Sequence, residues 1–216
     1  MNIELNQDQV NDIKAMLADI PKGGLRVTVR AINHTMGTTK TQMASEVYMR
    51  LNLQSSWIKT QIVTYNAFVS TPQGTIVTKG GPLELTQFVG TVQNDKGTSV
   101  KIKNDRRRST ILHAFILKFG SDGRKSYVYR RFYDGKRTAF NKAMKYGRLP
   151  MKFKYPPTAK KGHIERLTGP RIQDILDNPE VMGSIMAKTN VKLQERLDHE
   201  ANYLLSQYQS KLYGAD

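Results

Sequence analysis

The sequence predicts an α+β fold. Apolar residues recur at helical spacing near both ends of the 216-residue chain, and short β-branched and aromatic runs with turn residues between them fill the middle. The two kinds of pattern are segregated rather than alternating, which argues against a parallel α/β sheet. The expected architecture is N-terminal helices, a central antiparallel β-sheet or small barrel, and a long C-terminal helix. The length suits a single domain over 1–216.

Asn6, with Gln9 three residues on, has the form of a capping box, and Val10, Ile13, Leu17 and Ile20 follow at helical spacing. Pro21 and Gly23-Gly24 stop that helix. Leu25, Val29, Ile32, Met36, Met43, Val47 and Leu51 then predict a long amphipathic helix, with a break or kink favoured near Gly37. Ser55-Ser56 precede a short helix over 57–62. The runs 63–70, 75–79, 83–89, 98–103, 111–119 and 126–132 read as strands, the last two as arms of one hairpin around Ser121-Asp122-Gly123. From Asp134 to Arg166 the chain is basic and carries Pro150, Pro156 and Pro157, so an extended, loop-rich connection is expected, with a projecting arm at about 150–166. Asp177-Asn178-Pro179-Glu180 is a strong helix start, and the apolar series Leu193, Leu197, Ala201, Leu204, Tyr208 and Leu212 carries that helix over about 179–211. The two long helices each bear an apolar stripe, which either pairs with the other in the same chain or marks an interface between subunits.

The formal net charge is +16 and its placement is uneven. Residues 100–166 hold 20 Lys and Arg against 4 Asp and Glu, residues 1–99 hold 9 against 7, and residues 167–216 hold 5 against 7. Such asymmetry points to a polyanion or an acidic partner. Arg106, Arg107 and Arg108 fall in a turn between two strands, Arg124 and Lys125 at the next turn, Arg130 and Arg131 at a strand end, and Lys160 and Lys161 in the basic arm. Tyr127, Tyr129, Phe132 and Tyr133 interleave with them. Arginines beside aromatics on a sheet can hold phosphates or stack on bases, and they can equally be solvated or meet a neighbouring subunit.

There are no cysteines, which excludes disulfides and thiolate chemistry, and mean hydropathy is −0.53. No run reaches the roughly 18 apolar residues of a membrane span. The polar, acidic start MNIELNQDQVNDIK does not read as a signal peptide, so synthesis in a cytoplasm is expected. No phosphate-binding glycine loop is present, and His34, His113, His163 and His199 are too dispersed to suggest a metal site. No enzyme, cofactor or metal is expected.

Four short stretches recur in order: Ala114-Phe115 in one strand, Val128 with Arg130 in the next, Arg148-Leu149-Pro150-Met151, and Leu167-Thr168-Gly169-Pro170 leading into a helix. Together they resemble the phage minor tail protein Z family. The stretch 31–58, a long helix followed by a short one at a serine pair, also fits, so the resemblance spans roughly residues 25–185. The chain departs from it at KFKYPPTAKKGHIER, which is longer than the family's direct step. The resemblance implies a structural virion protein of a tailed bacteriophage, a tail-completion or neck component that lets the tail join the head. It implies assembly as a closed ring of six copies against neighbouring tail and neck proteins, around a channel for double-stranded DNA. The alternative is a sequence-nonspecific nucleic-acid-binding protein using the basic 101–166 surface.

Overall fold

A computed structural model describes residues 7–18, 20–119, 125–133 and 161–213. The chain is α+β and divides into two compact units. The first comprises residues 1–48, 55–80 and 172–216, and the second residues 49–54 and 81–171. Among the described residues, no helix is long and apolar enough to cross a membrane.

The first unit is mainly helical. Helix α1 (Gln7–Met16) ends before Lys22, whose backbone takes a positive φ of 57°, and α2 (Gly23–Arg50) begins at once. Gly23 makes the turn tight, since a Cβ there would lie 3.0 Å from the Leu17 Cβ. Helix α2 is unbroken through Gly37, where the sequence favours a kink, and Gly37 faces open space. Helix α3 (Ser55–Gln61) leads into strand β1 (Ile62–Tyr65), which pairs antiparallel with β2 (Thr75–Thr78). A short helix α4 (Ile172–Leu176) precedes the 35-residue α5 (Pro179–Tyr213). The Asn178 side chain accepts a hydrogen bond from the Glu180 amide at 2.9 Å, so the cap, proline and acid perform the parts their order implies.

Helices α2 and α5 run antiparallel and cover each other's stripes: Thr39 meets Thr189, and Arg30 meets Glu200 further along. The buried seam of α2 is Gly23, Val27, Ala31, Thr35, Thr39, Met43 and Val47, every fourth residue; that of α5 is Val181, Ile185, Thr189, Leu193, Leu197 and Ala201, again every fourth. Rows at this spacing are the ridges that interlock in the commonest helix packing. Ile13, Leu17 and Ile20 close one end, in a cluster with Val27, Ala31, Leu193, Leu197, Ala201 and Leu204. Each fully buried large aliphatic there contributes about 1.5–3 kcal/mol. Leu25, placed on the stripe by sequence, is 40 % exposed, and the seam runs instead through glycine, alanine and threonine.

The second unit carries the larger sheets. Strands β3 (Val92–Asn94), β4 (Gly97–Val100) and β5 (Ser109–Leu112) form one antiparallel sheet, and β6 (Ala114–Phe119), β7 (Lys125–Tyr133) and β8 (Lys161–Leu167) form another, with β7 central. The strands are thus antiparallel as expected and, with the β1–β2 hairpin, divide among three small sheets. Three local readings change. The run 111–119 is two strands, broken at His113, which adopts φ 60° while its amide bonds the Lys96 carbonyl. The run 83–89 is a single 3-10 turn at Leu85–Gln87, which puts Leu85 and Phe88 together in the interior where a strand would have turned them to opposite faces. Residues 161–167, placed in the loop-rich arm, are β8, because the nine-residue β7 has a free side that Ile164–Leu167 can pair with. Residues 134–160 lie outside those described.

The step Leu167-Thr168-Gly169-Pro170 closes this unit. The Gly169 amide bonds the Leu83 carbonyl at 2.7 Å, and the Leu83 amide reaches the Pro170 carbonyl. The Phe88 ring lies so close that a Cβ on residue 169 would fall 2.7 Å from its Cε2. Glycine is required here for close approach rather than for an unusual φ.

Candidate functional site

The two units differ sharply in charge. Among the described residues the second holds 14 Lys and Arg against 4 Asp and Glu, a net of +10; the first holds 11 against 9, a net of +2. Most of the basic excess among the described residues therefore lies in the second unit.

Within that body two asparagines build the turn that carries Arg106–Arg108. Asn52 donates through its side-chain amide to the Val89 carbonyl at 2.8 Å and the Lys101 carbonyl at 3.0 Å, and its own amide bonds Ile102. Asn104 donates to the Leu51 carbonyl at 3.3 Å, and its backbone amide bonds Arg50. The segment 101–104 is thereby pinned along its length, and the turn after it projects. Arg106, Arg107 and Arg108 are all exposed, beside exposed Lys103 and Asp105. Arg108 turns back to donate to the Gly90 carbonyl, so Arg106 and Arg107 are the outward charges.

In the β6–β7–β8 sheet, register decides which side chains share a face. Ala114 stands opposite Arg130, Ile116 opposite Val128, and Arg130 opposite Glu165. This is the inward face: Ala114 and Val128 are buried and Arg130 is only 5 % exposed. Arg130 is therefore not an outward contact, despite its place in the basic run, and it faces a carboxylate-bearing position across the ladder. Its neighbour Arg131 is on the other face with Phe115, Leu117, Phe119, Tyr127, Tyr129, Ile164 and Arg166, none of them buried. Lys125 and Lys161 begin β7 and β8. Arg124 and Lys160 lie outside the described residues.

The rings on this outer face are contiguous. Phe115 stacks on Tyr129 with centroids 6.4 Å apart, and Phe119 tilts against Tyr127 at 5.7 Å and Tyr129 at 6.2 Å. The Arg166 guanidinium lies 4.0 Å from the Tyr127 centroid and grips both carboxylate oxygens of Glu84, one at 3.1 Å. The hydrogen bond that Arg166 donates to Glu84 raises its pKa above the usual guanidinium value. Sequence reasoning noticed the tyrosines but not the phenylalanines or Arg166 as their partners. The available signal was the period-two spacing of Phe115, Leu117 and Phe119.

Among the described residues no group of three or more His, Asp or Glu is placed to hold a metal ion. Comparison of the chain with protein-family models, with curated proteins and with solved structures gives no match.

Proposed function

We propose that the chain is a structural component of a tailed bacteriophage, completing the head-proximal end of the tail and making it competent to join the head. It acts by complementary surfaces rather than by turnover. The observation that carries this reading is the concentration of charge in one compact unit, with Arg106 and Arg107 displayed on a turn braced by Asn52 and Asn104. A docking protein needs charges held in place, and the side chains holding them here are spent on backbone carbonyls. The ordered stretches that resemble the minor tail protein Z family supply the identity of the assembly.

The proposed assembly is a closed six-fold ring of this chain among neighbouring tail and neck proteins, with double-stranded DNA in the channel and the mature protein in the virion. The helical stripes cannot supply the ring contact, because α2 and α5 use them on each other. Among the apolar side chains left outward in the first unit, Tyr65, Phe68, Val69 and Val77 group on and beside the β1–β2 hairpin. Contact between this hairpin and a different surface of the next copy is head-to-tail, the arrangement that closes into rings.

The test is the double variant Arg106→Glu/Arg107→Glu. Exposed turn charges add little to stability, so the protein folds normally. Particle completion is expected to fail, and completion of infectious particles at the normal rate would refute docking through this turn.

A further inference from the structure

We propose that the outer face of the β6–β7–β8 sheet is a stacking surface for a single-stranded nucleic acid, indifferent to base sequence. The inference stands on the sheet alone and does not depend on the virion reading. It requires an open face, free ring surface and matching charge.

The alternation of the strands divides the sheet cleanly. The inner face buries Ala114, Val128 and Arg130, while the outer face leaves Phe119 and Ile164 each 44 % exposed and no described residue buried. Four rings from two adjacent strands form a contiguous cluster on that outer face, with Phe119 exposed and Phe115, Tyr127 and Tyr129 half-buried around it. Arg131 and Arg166 stand on the same face. The carboxylate of Glu84 is engaged by Arg166, whose guanidinium lies 4.0 Å from the Tyr127 centroid. The described residues of the body carrying the face have a net charge of +10.

These features select the occupant. A net charge of this size draws polyanions without regard to sequence. Aromatic rings add affinity only where bases offer their faces, and in a duplex those faces are stacked and hidden. A single strand with splayed bases matches both features, whereas a duplex uses only the charge. The described side chains of the face are aromatic, aliphatic and guanidinium groups, with no Asn, Gln, Asp or Glu among them, so stacking strength rather than base readout sets any preference.

The test measures anisotropy of a labelled oligothymidylate and of a duplex of equal length with the full chain at physiological salt. The single strand is expected to bind more tightly than the duplex. Phe119→Ala should weaken oligothymidylate binding about tenfold, within the range for loss of one base–aromatic contact, and leave duplex binding unchanged. Phe119→Trp should retain the single-strand preference, which guards against a folding defect in the alanine variant. Tyrosine fluorescence should be quenched by the oligonucleotide. Equal affinity for duplex and single strand, or a Phe119→Ala variant that binds oligothymidylate as the parent does, would overturn the proposal and leave charge alone. Absence of oligonucleotide binding while the face captures a purified tail or neck protein would overturn it in favour of a protein partner.

Discussion

The hydroxyls of Thr39 and Thr189 meet at 3.0 Å within the seam between α2 and α5, both side chains fully enclosed. The Thr39 oxygen also contacts the Thr35 carbonyl at 3.0 Å. A seam of repeated four-residue rows could slide by one turn, and a buried hydroxyl pair penalises every register but one. Thr189→Val keeps the volume and removes the bridge, and is expected to cost about 1 kcal/mol. The double variant with Thr39→Val should cost less than the two single costs together. Urea unfolding of the four proteins checks this; strictly additive costs would show that the hydroxyls are not coupled.

Gly37 is exposed in the interior of α2, with nothing within 4 Å of where a Cβ would sit. Gly37→Ala is therefore expected to raise stability by about 0.5–1 kcal/mol, through reduced entropy of the unfolded chain. In a chain of this size that appears as roughly 2–4 °C in Tm per kcal/mol. A lower Tm would mean that the helix needs glycine at this point.

Gly169→Ala should act in the opposite direction. The added carbon would meet the Phe88 ring at 2.7 Å, and the local backbone is tied to Leu83 by two bonds, from the Gly169 amide to the Leu83 carbonyl and from the Leu83 amide to the Pro170 carbonyl. A cost of about 1–3 kcal/mol is expected, the range for forcing a methyl into a filled interior. Gly169→Ala combined with Phe88→Leu, which clears the ring, should recover part of it in the same unfolding assay.

Asn33 on α2 holds the chain after β1 with both ends of its amide: it donates to the Ala67 carbonyl at 3.0 Å and accepts from the Ala67 amide at 2.7 Å. It stands in for a strand partner just before Phe68, which is 65 % exposed. Asn33→Leu removes both bonds from a half-buried site and is expected to cost about 2 kcal/mol. Hydrogen exchange at Ala67 should accelerate in the variant, and unchanged protection there would contradict the clamp.

The long helices were legible, α2 from its apolar spacing and α5 also from a local start signal. Asn178, Pro179 and Glu180 perform at α5 the parts their order announces. The seam between α2 and α5 was harder to place, because Thr35 and Thr39 do not register as apolar. The break at His113 carries no glycine or proline to mark it, and β8 depends on pairing with a strand distant in sequence. The candidate site was legible as composition and not as geometry. Arg130 and Arg131 are adjacent in the chain, yet one is interior and the other outward, and only the register of β7 against β6 and β8 decides which. The same register assembles Phe115, Phe119, Tyr127, Tyr129 and Arg166 from three separate strands.

Electron microscopy of tails assembled with and without this chain bears most directly on its role. Tails lacking it are expected to be missing a layer at the head-proximal end and to accumulate apart from filled heads. Adding the purified protein should restore both the layer, with six-fold symmetry, and joining. Tails that join heads normally in its absence would contradict a tail-completion role, and a restored layer holding a single copy would contradict the ring.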